Sequence, residues 1–327
     1  MAVYTTIDDP EAYFQAKIYT GNGSSSHAIT LDGDTNMSPN LVWMKSRSHA
    51  EDNVIFDSVR GGTARLYTNG SHAEGTNDAI NSFDSDGFNL NTYSSVNYNT
   101  YTYVAWCWKE SATSGFDIVT YTGNGSNRTI AHSLSATPDL VIIKRRSDTG
   151  DWLVGGSTTL GGDNKLLLLN TTAALDDNSE VYQSFSSSTF GIGVNAYVNT
   201  DSSTHIAYVF SGKQGFSKFG SYTGNGNADG PFVYTGFRPA MIIVKSSTEA
   251  RNWRLWDNKR STYNLTDEIL YPDLSNAEAT GDSEIDMLSN GFKLRKTSDN
   301  TSGETYIYMA FAEAPFVNSN GVPCNAR

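Results

Sequence analysis

The sequence predicts an all-β protein built from three tandem β-sandwich, jelly-roll-like modules of about 100 residues. Three observations carry that expectation. First, Ser, Thr, Asn and Gly are abundant, aromatic residues reach 12%, and charged residues are only 18% of 327, a mixture that suits strands and tight turns better than helices. Second, the string Tyr19-Thr20-Gly21-Asn22-Gly23 returns at Tyr121-Thr122-Gly123-Asn124-Gly125 and at Tyr222-Thr223-Gly224-Asn225-Gly226, in steps of 121 − 19 = 102 and 222 − 121 = 101. Third, short apolar runs separated by turn residues recur between the copies, with no long amphipathic helical pattern.

Two more landmarks keep nearly the same period. Pro39-Asn40-Leu41-Val42-Trp43-Met44-Lys45 is answered by Pro138-Asp139-Leu140-Val141-Ile142-Ile143-Lys144 and by Pro239-Ala240-Met241-Ile242-Ile243-Val244-Lys245. Phe88, Phe190 and Phe292 follow in two steps of 102. Three landmarks in one order identify internal repeats. The expected division is residues 1–17, an N-terminal anchoring segment; 18–112, 113–214 and 215–316, the three modules; and 317–327, an irregular tail. The connectors Ser111 to Gly115 and Ser211 to Gly215 are short enough to hold neighbours against each other. Closure around a pseudo-threefold axis and a linear row both remain open at this stage.

Taken in order, Asp8-Asp9-Pro10 reads as a helix start, followed by about two turns over residues 11–17. Tyr13 and Phe14 in that stretch are candidate docking residues, with packing on the first module as the plainer reading. Ile18-Tyr19-Thr20 reads as a strand, and Gly21-Asn22-Gly23 as its hairpin turn. Leu41 to Met44 is apolar at consecutive positions, the mark of a strand covered on both faces, and Lys45-Ser46-Arg47 should return the chain to water. Asn53–Arg60 and Ala64–Thr68 are further strands. Ile80–Phe83 and Phe88–Leu90 form a hairpin around Asp84-Ser85-Asp86-Gly87. In Thr102–Trp108, the alternation of Val104, Trp106 and Trp108 with Tyr103, Ala105 and Cys107 puts bulky groups on one face. The second and third modules repeat the plan and close on His205–Phe210 and Thr305–Phe311.

The net charge is −12, which repels phosphate backbones, so no nucleic-acid partner is expected. No run of eighteen apolar residues exists, so no membrane insertion by a helix is expected. Met1 to Pro10 has no basic region followed by an apolar core, so no secretory leader is expected. Cys107 and Cys324 read as two free thiols.

Chemical motifs are sparse. Asp84-Ser85-Asp86-Gly87 resembles the opening of a calcium loop but lacks its closing Glu, and both carboxylates are gone from the corresponding stretches of the other modules, so a plain β-turn is expected. Tyr-Thr-Gly-Asn-Gly lacks the Lys-Ser/Thr and the helix of a phosphate loop. His27, His49, His72, His132 and His205 show no ligand spacing, and no Gly-x-Ser-x-Gly elbow is present. No catalytic residue, cofactor or metal is therefore assigned. Trp43, Trp106 and Trp108 lie in strand-like runs and read mainly as core. Trp253 and Trp256, beside Arg251, Arg254 and Asp257, are the candidates for an exposed glycan-contacting patch.

Thr5-Thr6-Ile7-Asp8-Asp9-Pro10 with Tyr13-Phe14, the three landmarks, Asp57-Ser58-Val59-Arg60-Gly61, Tyr103-Val104-Ala105-Trp106-Cys107-Trp108-Lys109 and the ending from Ala310-Phe311-Ala312-Glu313-Ala314-Pro315-Phe316 to Arg327 resemble a family of repeat-containing virion structural proteins. That family is common in tailed phages of marine bacteria, cyanophages included. The second module departs at Gly155-Gly156-Ser157, where Asp-Ser-Val-Arg-Gly is replaced. The resemblance implies a non-enzymatic tail-fibre-like or capsid-associated surface protein, assembled in the host bacterial cytoplasm and located in the virion. Its partners would be other virion structural proteins of the capsid or tail. A carbohydrate-binding adhesin recognising a host-surface glycan is the alternative, and a glycan-cleaving enzyme would need two carboxylates converging in a cleft.

Overall fold

The computed structural model describes residues 5–325, and they form an almost entirely β structure in which every strand pairing is antiparallel. The all-β class is as expected. The first repeat gives a six-stranded sheet in the order Phe14–Thr20, Thr102–Trp108, Leu41–Ser46, Val54–Asp57, Gly61–Tyr67, Gly75–Thr76. A three-stranded sheet, His27–Ile29, Gly87–Leu90, Ile80–Asp84, lies with it. The second repeat has the same strand order: Phe116–Thr122, Thr204–Phe210, Leu140–Arg145, Trp152–Gly155, Lys165–Leu168, Asp176–Asp177, with Arg128–Ala131, Thr189–Ile192, Tyr182–Phe185. In the third, the larger sheet keeps four strands, Ser217–Thr223, Thr305–Pro315, Phe237–Ser246, Arg254–Asp257. Its companion gains a fourth, in the order Phe232–Tyr234, Gly291–Leu294, Ala279–Leu288, Thr266–Ile269.

The central strands are buried along most of their length for a simple reason. Alternate residues of a strand point to opposite faces. Val42, Met44, Ala105 and Cys107 pack into a core with Ile29, Ile80, Phe88 and Leu90 of the smaller sheet. Their neighbours Leu41, Trp43, Val104, Trp106 and Trp108 enter a second core, shared with Ile142, Trp152, Tyr208 and Phe210 of the second repeat and Ile243, Trp253 and Met309 of the third. Each central strand therefore has apolar cover on both sides, one side from its own repeat and the other from the two neighbouring repeats. The repeats meet around a small apolar void of about 20 Å³ lined by residues of all three.

Several local expectations are corrected. The helix expected over residues 11–17 is a single 3₁₀ turn, Pro10–Ala12, whose first free N–H is accepted by Asp9. Phe14 already belongs to a strand, because pairing of Phe14–Thr20 with Thr102–Trp108 satisfies the backbone from Phe14 onward. The Gly-Asn-Gly strings are corners rather than hairpin turns. The strands on either side, Phe14–Thr20 and His27–Ile29 in the first repeat, lie in different sheets. Gly23, Gly125 and Gly226 adopt φ of 67°, 66° and 70°, so the positive-φ reading was sound although the turn type was not. A Cβ on Gly21, Gly123 or Gly224 would lie 2.2, 2.1 and 2.1 Å from a backbone carbonyl oxygen. The chain can cross between sheets only where that side chain is missing. Asp84 and Gly87 pair across a tight β-turn, as expected.

The tail is not free-standing. Residues 317–325 fold back on the third repeat and the N-terminal segment: Ser319 N donates to Asp8 Oδ1 at 2.7 Å, Cys324 N to Phe316 O at 3.0 Å, and Arg238 Nη1 to Asn325 O at 2.9 Å. Residues 1–4 of the expected anchoring segment and 326–327 of the tail lie outside the described residues. Both cysteines are free.

Candidate functional site

Of the residues singled out from sequence, Phe14, Trp253 and Trp256 lie inside and Tyr13 is half-buried. Phe14 is 1% exposed, stacked on Phe311 at 5.2 Å and tilted against Trp108 at 5.0 Å. Tyr13 is half-buried, edge-on to Phe216 at 6.0 Å. Both join the first repeat to the third, so docking onto an outside partner is replaced by docking within the chain. Trp253 and Trp256 are 1% and 0% exposed and present no face to a sugar. The charged neighbours that made them look superficial are themselves engaged: Arg254 pairs with Asp299, Arg251 with Glu304, and Asp257 with Arg260.

What the buried polar groups build is a set of clasps between repeats, each recurring around the molecule. Lys45, Lys144 and Lys245 are fully buried, contrary to the expectation that Lys45-Ser46-Arg47 returns to water. Each ammonium donates to a carbonyl of another repeat: Lys45 Nζ to Ser275 O at 3.1 Å, Lys144 Nζ to Ser71 O at 3.3 Å, and Lys245 Nζ to Thr172 O at 3.1 Å. Burial pushes all three ammonium groups down to about 8. Backbone bonds follow the same circuit: Glu278 N to Arg47 O at 2.8 Å, Glu74 N to Arg146 O at 2.8 Å, and Leu175 N to Ser247 O at 2.9 Å. The first repeat thus holds the third, the second holds the first, and the third holds the second.

The indoles add a further round. Trp152 Nε1 donates to Tyr67 O at 2.7 Å and Trp253 Nε1 to Leu168 O at 2.9 Å. In the first repeat the corresponding residue is Asn53, whose Nδ2 donates to Tyr271 O at 2.9 Å and whose Oδ1 accepts from Trp43 Nε1 at 3.2 Å. Ion pairs reinforce two of the three junctions, Arg47 with Glu278 and Arg146 with Glu74, both at 2.8 Å. At the third junction Ser247 and Leu175 stand in their place. Beside these, Asp57 accepts from Arg60 Nε at 2.6 Å and Tyr208 Oη at 2.8 Å, and Asp257 from Arg260 Nε at 2.6 Å and Trp106 Nε1 at 3.0 Å.

A second recurrent group was missed in the sequence. Asn97, Asn199 and Asn300 are each 0% exposed. Each accepts from the Asn N–H of its Gly-Asn-Gly corner, at 3.0, 3.0 and 2.8 Å. Each also donates to a carbonyl just beyond that corner, Ser24 O, Ser126 O and Asn227 O. The Tyr that opens each corner donates its hydroxyl at 2.8 Å to Val96 O, Val198 O or Asp299 O. The three Asn lie 102 and 101 residues apart, so the period itself was the signal.

One position in this scheme carries a misfit. Asn69 Oδ1 and Asn170 Oδ1 each accept a backbone N–H, from Asn53 and Trp152, at 2.9 Å. In the third repeat the acceptor of Trp253 N is Asp273. Burial raises its carboxyl from the ordinary 3.8 to about 7, and its Oδ2 has no partner. Because the folded value lies above the unfolded one, the stability this group contributes is fully present below about pH 4 and is lost as the pH rises through 7. Asp273→Asn is therefore expected to stabilise the protein by up to about 4 kcal/mol at pH 8 and by almost nothing at pH 4. Chemical denaturation at the two pH values checks this.

At the surface, a cleft of about 430 Å³ lies between the second and third repeats and the tail. Asp139, Lys218, Tyr234 and Phe316 line it. Asp139 Oδ2 accepts from Gly212 N at 2.7 Å, and burial raises its carboxyl above the ordinary range. Lys218 Nζ donates to Tyr234 O at 2.8 Å and lies 5.2 Å from that ring's centroid. Asp139 is the one carboxylate among its lining residues, so the cleft does not present the pair that glycoside cleavage requires. Among the described residues no three His, Cys, Asp or Glu side chains converge to hold a metal ion.

No curated protein and no solved structure matches the chain. One family does, across residues 9–315, a span that takes in all three repeats together with the Pro10–Ala12 turn. The chain belongs to that family, the domain of unknown function DUF7483.

Proposed function

We propose that the chain is a structural component of a tailed-phage virion: a compact, non-enzymatic knob that decorates the capsid or forms a short fibre. The observation that carries this reading is where the recurrent side chains are spent. The Lys, Asn and Tyr residues repeated in all three copies bond to backbone carbonyls within the chain. What has been multiplied is rigidity, the property a particle part needs and one that a catalytic repeat would not exhaust. An acidic surface fits a protein that must not bind the packaged nucleic acid. The likeness of the chain's opening, landmarks and ending to virion repeat proteins supports the same assignment. With Phe14 buried and Tyr13 half-buried against the third repeat, attachment to capsid or tail proteins would use mainly other surface.

The second reading, a tail-fibre adhesin for a host glycan, is favoured by open surface clefts, one within the second repeat and one between the second and third repeats. Cryo-EM of purified particles tests the assignment. Density for this protein on the shell supports a decoration role, and density at the tail supports the fibre or adhesin role. Absence from the particle would overturn both.

A further inference from the structure

The second repeat contains an open cleft of about 410 Å³, within the roughly 300–1,000 Å³ usual for small-ligand sites. Its origin can be read from the other two repeats. Strand pairing sets Leu66 opposite Ile55, Leu167 opposite Val154 and Leu270 opposite Leu255. Position for position, Leu168 therefore stands where the first and third repeats have Tyr67 and Tyr271, and Leu166 where the first has Arg65. Counting back from the buried Asn97 and Asn199, Asn195 stands where the first repeat has Tyr93.

In the first repeat those three side chains fill the space. Arg65 lies 4.6 Å from the Tyr67 centroid and 5.9 Å from that of Tyr93, and the two phenol oxygens are 2.6 Å apart. In the third, Tyr271 occupies it, bonded to Asp282 at 3.2 Å. Leucine and asparagine at the same places leave the space open in the second repeat.

The lining selects a ligand class. The floor is aliphatic, with Leu166, Leu168 and Leu175. Tyr197, 40% exposed, lines one side, its ring 5.7 Å from the Arg145 guanidinium carbon. Around the rim stand Asp151, Asp176, Asn178 and Asn195. Asp151 spends one oxygen on Asn170 Nδ2 at 2.8 Å. Asn178 and Asn195 spend their Oδ1 atoms on Glu180 N and Tyr197 N, both at 2.9 Å, which leaves their amide N–H groups as donors toward a ligand. No Lys or Arg is among the lining residues, so a phosphate, sulfate or uronate would face carboxylates without a counter-charge. An ammonium could use the carboxylates but not the amide donors. A sugar hydroxyl both donates and accepts, and the C–H face of a pyranose suits an aliphatic floor beside an aromatic ring.

We infer that this cleft is a subsite for a neutral saccharide. The inference goes beyond the virion assignment and does not depend on it, since binding is read on the isolated chain and particle location is not.

The test is saturation-transfer NMR and titration of the full chain against a panel of neutral, sulfated and uronate-containing oligosaccharides. Neutral members should bind, with magnetisation transferred to their ring C–H protons. Leu168→Tyr restores the side chain that the other two repeats carry, and it should weaken binding at least about tenfold by occupying the cleft. Asp176→Ala removes an exposed acceptor whose one internal bond is to the next residue's N–H, and it should weaken binding about fivefold to tenfold. It also settles the question should Leu168→Tyr fail to fold. Binding of anionic members only, no binding of any neutral member, or neutral binding unchanged in the folded variants would overturn the proposal.

Discussion

Replacing Asp257 by alanine is expected to destabilise the protein by about 3–5 kcal/mol, the cost of breaking one side of a fully buried ion pair. Asp257 is 0% exposed. One oxygen accepts from Arg260 Nε at 2.6 Å and from Trp106 Nε1 at 3.0 Å, and the other from the backbone N–H groups of Lys259 and Arg260 at 3.1 and 2.9 Å. The alanine variant leaves the Arg260 guanidinium, its side chain also 0% exposed, with Glu278 as its remaining ion partner at 3.1 Å. It leaves the Trp106 indole N–H, which belongs to another repeat, with no acceptor. An unpaired buried group loses its hydration without compensation, so the loss exceeds what the pair contributes when intact. Asp257→Asn keeps the shape and one acceptor and should lose less. Urea denaturation followed by tryptophan fluorescence reads both. A loss below about 1 kcal/mol for Asp257→Ala, the scale of an exposed salt bridge, would mean that the clasp contributes little.

Phe311→Ala should cost a similar about 3–5 kcal/mol, by cavity formation rather than by charge. Phe311 is 2% exposed and sits where rings from all three repeats converge. Phe14 and Trp108 of the first lie at 5.2 and 5.5 Å, Phe210 of the second at 5.9 Å, and Phe219 and Phe216 of the third at 5.9 and 6.2 Å. Those rings are held by sheets of several strands and cannot collapse into the gap, which places the loss toward the upper part of the range for a large-to-small core change. Ile18→Ala, on a side chain 39% exposed, should stay within about 0.5 kcal/mol and serves as the reference.

The positions of the main strands and their double burial were legible because both depend on period. Leu41 to Met44 is apolar without alternation, and that pattern requires cover on both faces whatever supplies it. The supplier was not legible: it is the other two repeats, and nothing local to Leu41 names them. The same limit explains Lys45. A lysine at the end of an apolar run ordinarily marks the return to water; here its ammonium is buried and donates hydrogen bonds to Ser46 O and to Ser275 O, 230 residues away. Trp253 and Trp256 were misjudged for the converse reason. Arg251, Arg254 and Asp257 gave the stretch a superficial look, but Asp299 and Arg260 draw Arg254 and Asp257 into the structure, and Arg251, still partly exposed, is tied to Glu304.

The Gly-Asn-Gly corners show how chemistry can be read correctly and geometry incorrectly. Positive φ and a missing side chain are needed equally by a hairpin and by a crossing between sheets, so the string alone does not separate the two. Asn97, Asn199 and Asn300 would have separated them, since a buried amide bonded to the second residue of each string fixes the corner from outside. The cleft of the second repeat was legible in principle from Leu168 against Tyr67 and Tyr271. Its meaning came only with the register that aligns them.

The central claim is that the three repeats close on one another and stand or fall together. Differential scanning calorimetry of the full chain tests it most directly. Clasps that run from first to third, second to first and third to second predict one transition, with a calorimetric enthalpy about equal to the van 't Hoff enthalpy. Resolved transitions, or a calorimetric enthalpy about three times the van 't Hoff value, would mean that the repeats unfold independently and would contradict the account.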